Sequence, residues 1–301
     1  MEQRPEHSIP LTVFTPAYNR AHTLSRTYES LCKQSCKDFL WLVVDDGSAD
    51  NTADLVKTWQ QQNNGFPIQY VYKENGGMHT AHNTAYEHIT TELNTCVDSD
   101  DYMPPRAVEL ILNKWSQAKD KGYAGIIALD SDLDGKVLGG RFADSLTETT
   151  LCGYYASGGS GDKKLIYRTD VIKATPPYPV FEGEKYVALA YKYRLIDQSH
   201  RLAVLNEVVC CVDYQPDGSS NTMYKQYIRN PKGFAFWRKV CMTYPESSKR
   251  LWVDCIHYVA NCLIAHQTGG IKESPRKFRT ILMYPLGFLL SIYIRKKAKQ
   301  S

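Results

Sequence analysis

Apolar residues along the first part of the chain fall into two alternating patterns. Segments of strand length and mainly apolar character lie at 11–15, 39–44, 68–73 and 95–97, and the one at 39–44 is a continuous apolar run. Segments with apolar residues at helical spacing follow these runs, and they begin near Thr23, Ser48, His79 and Pro104. A regular alternation of strands and helices predicts a doubly wound α/β domain with a mostly parallel sheet.

Two of the predicted helix starts carry their own signals. Ser48 is a residue type that caps helices, and Leu55 and Trp59 would lie on the buried side of the helix after it. Pro104 and Pro105 suit the first turn of the fourth helix, where a missing N–H group costs little. We therefore expect the second helix to begin at Ser48 and the fourth at the two prolines.

The pattern changes after Gly125. The segment 125–142 predicts a β-hairpin with an Asp-Gly turn at 134–135. Residues 151–220 are mixed and rich in loop-forming types, and 234–267 has a helical pattern. The sequence thus predicts one enlarged α/β domain with a mainly helical C-terminal extension.

Acidic pairs stand at the ends of two predicted strands. Asp45 and Asp46 end one apolar run, and Asp98 and Asp100 end another. In doubly wound sheets, ligands bind beyond the carboxyl ends of the strands. In an extended backbone Asp98 and Asp100 would point the same way, and two such carboxylates suit Mg²⁺ or Mn²⁺. The alternative is that these acids only begin a turn or cap a helix.

Three other polar motifs are weaker. DSDLDG at 130–135 begins like a calcium-binding EF-hand loop, but Arg141 stands where a bidentate Glu is needed, so we interpret it as a turn. GGSGDKK at 158–164 lacks P-loop spacing and predicts a glycine-rich loop. His79 and His82 are spaced to share a metal, but without an HExxH pattern a role at the helix start or beside a phosphate fits better.

Charged residues in the second half leave alternatives open. Glu182 and Glu184 precede an amphipathic helical segment, and they are either solvated acids at a helix N-terminus or candidates for a general base. Lys163, Lys164 and Arg168 could face a phosphate or an acceptor, but we interpret them as solvated charges.

Composition narrows the class of protein. The nine cysteines form no CxxC pair, which favours reduced thiols over a disulfide framework or a zinc site. The first ten residues are polar, so no signal peptide is expected. The net charge is +4, but the segment from Lys272 onward contributes +7 and the rest −3. The basic charge belongs to the tail, and a nucleic-acid partner is not expected.

The basic tail encloses an apolar segment. Residues 281–294 are apolar apart from Ser291, and they lie between RKFR at 276–279 and RKKAK at 295–299. The 14 residues fall short of the about 20 that a spanning helix needs. This pattern predicts an interfacial segment on an anionic cytoplasmic leaflet. A packed terminal helix or a dimer contact are the alternatives.

Taken in order, the motifs resemble a known family. They are TVFTPAYNR (12–20), WLVVDDGSADNT (41–52), KENGGMHTAHNTA (73–85) and CVDSDDYMPP (96–105). This order resembles family 2 glycosyltransferases with the GT-A fold, a Rossmann-like, mostly parallel sheet flanked by helices. Three later motifs resemble the bacterial branch that builds capsular or other surface polysaccharides: EGEKYVALAYKYRL (182–195), YQPDGSSN (214–221) and NPKGF (230–234).

The resemblance implies a nucleotide-sugar site, usually for a UDP-sugar. Its first wall would be formed by Thr15, Pro16, Ala17 and Tyr18. Asp45 or Asp46 would accept a hydrogen bond from the uracil N–H. Asn75, Gly76 and Gly77 would let the backbone approach the nucleotide closely.

The resemblance also implies the catalytic groups. Asp98 and Asp100 would be the Asp-x-Asp pair on Mn²⁺ or Mg²⁺, with Asp98 and Ser99 also beside the nucleotide. A carboxylate would deprotonate the acceptor for inverting displacement. Many relatives use the aspartate of a Glu-Asp pair, where this chain has Glu184 followed by Lys185. We therefore expect Glu184 to be the base in preference to Glu182.

The implied organisation is a transferase domain over 1–230, with a nucleotide-sugar half at about 9–130 and an acceptor half at about 131–230. Residues 231–301 would be a helical extension that binds the inner face of the cell membrane through 276–301. The implied reaction is transfer of a sugar to a glycan or lipid-linked acceptor. A sugar-phosphate nucleotidyltransferase and a non-catalytic nucleotide- or glycan-binding relative are the alternatives.

Overall fold

The computed structural model describes residues 9–214 and 223–300. Apart from Tyr214, the YQPDGSSN motif lies outside the described residues. The chain divides into two compact units. The described parts of the first unit are 9–75, 81–177 and 195–213, and those of the second are 76–80, 178–194, 214 and 223–300.

The first unit contains one eight-stranded sheet in the order β3-β2-β1-β4-β7-β5-β8-β6. Its strands are β1 Leu11–Ala17, β2 Phe39–Asp45, β3 Ile68–Tyr72, β4 Leu93–Cys96, β5 Gly125–Ser131, β6 Glu148–Thr149, β7 Lys163–Arg168 and β8 Leu202–Cys211. Strands β3, β2, β1 and β4 are parallel neighbours, as the alternating pattern predicted. The sheet is mixed beyond β4, because β7 runs antiparallel to both β4 and β5.

The central strands are the apolar runs of the sequence. All seven residues of β1 are buried, as are most of β2, because helices cover a strand of this kind on both faces. The parallel register places Ala17 opposite Asp45. The carboxyl ends of β1 and β2 therefore stop at the same edge of the sheet, and this edge carries the acidic residues.

The predicted hairpin at 125–142 is only a turn. Asp132 N–H donates to Lys136 O at 2.9 Å, and Leu138 N–H donates to Asp130 O at 2.9 Å. Beyond one bridge between Ser131 and Val137, no second arm forms among the described residues. The strand partners of β5 are instead β7 and β8, which lie far away in the chain.

The helices up to residue 196 connect these strands. They are α1 Leu24–Cys32, α2 Thr52–Gln60, α3 Met78–His88, α4 Ala107–Ala118, α5 Leu151–Ala156, α6 Thr169–Ala174 and α7 Ala190–Ile196. The expectation that Ser48 starts the second helix is wrong, because α2 begins at Thr52 and Asn51 is its N-cap. The prolines 104 and 105 also lie just before α4 rather than in its first turn.

The second unit is helical toward the C-terminus. Its helices are α8 Met223–Arg229, α9 Pro231–Thr243, α10 Ser248–Ile264, α11 Gly270–Glu273, α12 Lys277–Leu282 and α13 Tyr284–Ala298. The predicted helical segment 234–267 is thus two helices. Leu251, Cys255 and Tyr258 of α10 pack with Ala235 and Met242 of α9, and this contact forms a small core of its own.

Candidate active site

Both carboxylate oxygens of Asp45, the last residue of β2, accept hydrogen bonds from other parts of the fold. It is buried, and its Oδ1 accepts a hydrogen bond from the Ser48 backbone N–H at 2.7 Å. Its Oδ2 accepts one from the Tyr70 hydroxyl at 2.7 Å. Burial, together with this hydrogen bond, raises the pKa of Tyr70. The carboxylate of Asp45 therefore builds the turn that follows the strand.

Asp46 joins the ends of three segments. Its N–H donates to Ala17 O at 2.8 Å, and its carboxylate accepts hydrogen bonds from Lys73 Nζ at 2.5 Å and Asn75 Nδ2 at 3.2 Å. Gly47 follows with φ +82°, and a Cβ there would lie 2.7 Å from the backbone nitrogen of Asn75. Only glycine fits this close approach.

The segments after β1 and β2 interlock through side chain to backbone hydrogen bonds. Asn19 N–H donates to Ser48 Oγ at 2.9 Å, and Ala49 N–H donates to Asn19 Oδ1 at 2.8 Å. Ala21 N–H donates to Asp50 Oδ2 at 3.0 Å. Ser48 thus holds the neighbouring turn in place rather than capping a helix.

The residues predicted to form the first wall differ in what they expose. Thr15, Pro16 and Ala17 are buried. The Thr15 hydroxyl accepts a hydrogen bond from Trp41 Nε1 at 3.0 Å inside the fold. The side chain of Tyr18 is 49% exposed. Of these four side chains, Tyr18 is the one available to contact a ligand.

The residues 98–101 form a turn beyond β4. The strand ends at Cys96, and Asp101 N–H donates to Asp98 O at 3.0 Å. The expectation of an extended backbone here is wrong, so any approach of the Asp98 and Asp100 carboxylates comes from the turn and not from strand alternation. Both residues are half-buried, whereas Ser99 between them is buried.

Asp98 and Asp100 repel each other. Burial, followed by the negative charge of Asp98, raises the pKa of Asp100 above its ordinary value. Arg26 stands beside this turn, because its guanidinium donates to Asp100 O and to the Asp213 carboxylate, the latter at 2.7 Å. The sequence gives no signal for this role of Arg26, which lies on α1.

Asp101 is a structural acid. It is buried, and its Oδ1 accepts a hydrogen bond from Asp213 N–H at 3.1 Å. Its carbonyl oxygen accepts one from the Thr27 hydroxyl at 2.7 Å. Burial raises the pKa of Asp101 to about 7, although the positive charge of Lys164 opposes the shift.

Lys164 is an internal cation of this acidic region. Its Nζ donates to Cys96 O at 3.2 Å. Burial by itself would lower its pKa, but the acidic groups of Cys210, Asp130 and Asp101 outweigh that effect and raise the pKa well above its ordinary value. The interpretation of Lys164 as a solvated charge is therefore wrong.

Asp130, near the end of β5, belongs with Asp101 and Lys164, which the sequence did not predict. It is 3% exposed, and within residues 9–214 and 223–300 its Oδ1 has no hydrogen-bond partner. Burial raises its pKa to about 6, with Lys164 opposing. The signal was present, because β5 is an apolar run that ends on an acid as β2 does. Assigning the residue to a hairpin obscured it.

Lys163 and Arg168 are also bound. Lys163 is buried, and its ammonium donates to Leu138 O at 2.7 Å and Ser160 O at 2.9 Å. The solvated-charge interpretation of Lys163 is thus wrong as well. The Arg168 side chain is partly exposed and pairs with Asp170 at 2.5 Å.

The Asp98–Asp100 turn suits a metal that is held jointly with substrate. No group of three or more His, Cys, Asp or Glu side chains in the described part of the chain is arranged to hold a metal. Asp98 and Asp100 offer hard oxygen donors, and a cation between them would relieve their repulsion. Mg²⁺ is commonly held by one or two carboxylates and the phosphates of a substrate. The donor set fits such a cation.

The two helical histidines are buried. His79 is 1% exposed in the second residue of α3. The ring of His82 contacts Tyr86 through Nδ1 at 3.3 Å and Cys96 through Nε2 at 3.6 Å, and it packs edge-on against Phe14. His82 is a core residue of the first unit.

In the second unit, Gly77 is fixed by backbone contact. It has φ +92°, and a Cβ there would lie 2.1 Å from Lys185 O. The close approach that the sequence assigned to a nucleotide is made here by the chain itself. Gly76 adjoins it in the same short segment.

The two candidate bases have different environments. Glu184 is buried, and its two carboxylate oxygens accept hydrogen bonds from Lys232 N–H at 2.9 Å and Gly233 N–H at 2.8 Å. These are the first N–H groups of α9, so Glu184 caps that helix. Glu182 is exposed. Of the two, Glu184 has the evident structural task.

A mixed α/β sheet of this kind, flanked by helices and followed by a helical C-terminal region, has the architecture of the GT-A fold. Residues 12–155 match the Glycosyl transferase family 2 description. This segment belongs to that family, and the chain carries a glycosyltransferase domain.

Named relatives agree with this class. A chondroitin synthase of Pasteurella multocida (strain Pm70) is 33% identical over 129 residues, which are 42% of this chain and 13% of that protein. The chain thus matches only a small part of the length of this relative.

Solved structures share the fold. Staphylococcus aureus TarS 1–349 in complex with UDP-GlcNAc has a TM-score of 0.63 at 17% identity, covering 96% of this chain and 88% of that chain. The mannosyltransferase PcManGT from Pyrobaculum calidifontis, in complex with GDP-Man and Mn²⁺, has a TM-score of 0.54 at 17% identity, covering 96% and 83%.

Proposed function

We propose that the protein is an inverting, metal-dependent glycosyltransferase that transfers a sugar from a UDP-sugar to a glycan or lipid-linked acceptor in capsular or other surface polysaccharide synthesis. One observation carries the proposal. At one edge of a GT-A sheet, the acidic turn after β2 is held by hydrogen bonds and stands next to the exposed Tyr18, and the turn after β4, on the other side of β1, carries two carboxylates that repel each other.

The first turn is proposed to bind the nucleotide. Tyr18 offers an exposed aromatic face for a base, and backbone of 15–17 lines the same edge. The carboxylate of Asp46 is proposed to accept the uracil N–H, because a carboxylate accepts hydrogen bonds and does not donate them. We propose UDP as the nucleotide because the sequence motifs resemble transferases that usually use a UDP-sugar; the TarS structure contains UDP-GlcNAc, and GDP, as in the PcManGT structure, is the alternative.

The second turn is proposed to hold the diphosphate. Asp98 and Asp100 would bind Mn²⁺ or Mg²⁺, with Ser99 beside the nucleotide. When bound, the cation stabilises the negative charge that develops on the leaving diphosphate. The protein residues keep the turn rigid, because Arg26 fixes its backbone and Asp101 anchors it internally.

Glu182 or Glu184 is proposed to take the proton of the acceptor hydroxyl. The sequence favoured Glu184, but its two oxygens hold the first turn of α9. A base at Glu184 must release those bonds, whereas Glu182 is exposed and, among the described residues, has no such bonds to a helix N-terminus. We therefore propose Glu182 as the base and Glu184 as the residue that positions its segment.

The organisation and location proposed from the sequence are retained. We propose that residues 1–230 are the transferase domain, with a nucleotide-sugar half at about 9–130 and an acceptor half at about 131–230, and that 231–301 are the extension. We propose that the protein acts at the inner face of the cell membrane through 276–301.

Release of UDP from a panel of UDP-sugars, with Mn²⁺ and with a chelator, tests the function. We expect turnover that requires the cation, and loss of it in Glu182→Gln but not in Glu207→Gln, a glutamate away from the proposed site. Pyrophosphate production from UTP and a sugar phosphate would instead indicate a nucleotidyltransferase. Tight UDP binding without turnover on any glycan acceptor would indicate a non-catalytic relative.

A further inference from the structure

The helices α12 and α13 expose their large apolar side chains. Nine of them are between 39% and 78% exposed: Phe278, Ile281, Leu282, Tyr284, Leu286, Phe288, Leu289, Ile292 and Tyr293. Water-soluble helices usually turn such residues to the core and leave polar residues outside. Exposed apolar side chains concentrated on two consecutive helices in this way indicate an interaction site. We call these nine residues the tail face.

The opposite side of α13 is small and closely packed. Its buried residues are Gly287, Ser291 and Ile294. A Cβ at Gly287 would lie 2.5 Å from the Val259 side chain and 2.9 Å from Ile256 O, both on α10. The helix is therefore held with its small residues inward, and the exposure of the tail face follows from this packing.

The dimensions are those of an interfacial helix. The 15 residues of α13 extend about 22 Å at 1.5 Å per residue, against about 30 Å for a bilayer core. No helix in the described ranges 9–214 and 223–300 is long and apolar enough to cross a membrane. Pro285 does not interrupt α13, because it lies in the first turn.

Cations flank the tail face at both ends. They are Arg276, Lys277 and Arg279 around its first residue, Phe278, and Arg295, Lys296, Lys297 and Lys299 after its last, Tyr293. No acidic residue occurs between 274 and 301. The charge pattern is therefore positive, apolar, positive, which matches an anionic headgroup layer over hydrocarbon.

The same pattern disfavours a second copy of this chain. If two tail faces met in parallel, each basic end would meet the same basic end of its partner. If they met antiparallel, the first basic cluster would meet the last. Like charges would approach in either case, which costs free energy.

We propose that the tail face inserts into the headgroup region of a bilayer rich in anionic phospholipid. In this arrangement α13 lies parallel to the bilayer surface, and its buried side, which includes Gly287, packs on α10. This inference rests on the membrane location proposed above, and it names the lipid chemistry and the contacting side chains.

The test is co-sedimentation of the full-length protein with vesicles of 30% phosphatidylglycerol in phosphatidylcholine, and with pure phosphatidylcholine. We expect the double variant Leu289→Glu/Ile292→Glu to lose at least about tenfold in partitioning, because it places two charges in the apolar contact. Lys296→Glu/Lys299→Glu should lose the preference for anionic vesicles and the salt dependence. Leu133→Glu, at an exposed leucine of the 130–135 turn, is the matched control and should bind as the parent protein does.

Two results would overturn the inference. One is equal sedimentation of the parent and Leu289→Glu/Ile292→Glu proteins at equal thermal stability. The other is a dimer in lipid-free light scattering that the same substitutions dissociate. UDP release with a soluble acceptor and no vesicles is measured in parallel. Its absence in every protein, with vesicle binding intact, would count against the proposed transferase function and leave this inference standing.

Discussion

The two acidic strand ends of the sheet use their carboxylates in opposite ways. At the end of β2, Asp45 and Asp46 accept hydrogen bonds from surrounding donors, and these bonds hold a turn. In the turn beyond β4, burial and the negative charge of Asp98 raise the pKa of Asp100. An Asp pair at a strand end can thus stabilise a turn through hydrogen bonds, or it can keep negative charge that is available to a cation. The number of hydrogen-bond donors around the pair determines which of the two roles it has.

The largest expected effect comes from removing the cation behind the β4 turn. Lys164→Met leaves the buried acids Asp101 and Asp130 without their counter-charge, so we expect a loss of about 3–5 kcal/mol in the free energy of unfolding at pH 7. Urea denaturation measures it, and Lys57→Met on the exposed side of α2 is the control. A loss no larger than that of the control would show that Lys164 does not compensate these acids.

The next largest effect is expected from removing the negative charge of Asp100 in the turn beyond β4. Asp100→Asn should lower metal-supported turnover by about 10²–10³-fold, the effect of losing one electrostatic group at a reaction centre. Stability should stay near that of the parent protein, because burial and Asp98 already disfavour this carboxylate. UDP release with Mn²⁺ measures it, with Asp134→Asn in the exposed turn as control. Unchanged turnover would remove Asp100 from the metal site.

The β2 end should respond in the opposite sense. Asp45→Ala leaves the Ser48 N–H and the Tyr70 hydroxyl without their acceptor, and each such group costs about 1–3 kcal/mol. We expect a loss of about 2–3 kcal/mol in unfolding free energy, measured beside Asp54→Ala, a solvent-exposed acid. A stable variant with impaired nucleotide binding would instead give Asp45 a direct role in the site.

Asp130 predicts a pH dependence. Its folded-state pKa of about 6 lies above the ordinary value of 3.8, so its stabilising contribution is complete below pH 3.8 and is lost as pH rises through 6. Asp130→Asn does not titrate. Relative to the parent, its unfolding free energy should rise by about 2–3 kcal/mol between pH 4 and 7. A pH-independent difference would contradict the prediction.

The smallest expected effect distinguishes the residue proposed to bind the nucleotide from the residue proposed to bind the metal. Asp46→Asn should weaken UDP binding about tenfold, the loss of one hydrogen bond to a charged acceptor, equally with Mn²⁺ and with a chelator. Asp100→Asn should weaken it only when Mn²⁺ is present. Calorimetric titration of both proteins decides. If Asp46→Asn weakened UDP binding only in the presence of Mn²⁺, the assignment of the nucleotide to the first turn and of the metal to the second would be wrong.

The sequence was enough to predict which acidic residues of the candidate site lie at the ends of strands. Asp45, Asp46, Asp98 and Asp100 were predictable because each follows an apolar run, and parallel strands end at one edge. The sequence made Glu184 the preferred candidate base, which stays a prediction, but it did not predict the capping bonds of Glu184, since they depend on a helix 48 residues further along the chain.

The remaining groups depend on distant pairings. Lys164 reaches the β4 turn because β7 inserts antiparallel beside β4, which local periodicity does not encode. Arg26 and Asp213 meet across 187 residues. The start of α2 at Thr52 followed from competition, because Ser48 was already bound by Asn19.

The hydrogen bonds of the two turns also set an order of assembly during synthesis. The partners described for Asp45 and Asp46 all lie within the first 75 residues of the chain. The β4 turn needs Lys164 and Asp213, which the ribosome adds much later. Because chains fold from the N-terminus as they emerge, the β2 turn can close on a nascent chain that still lacks the groups that compensate its acidic neighbour.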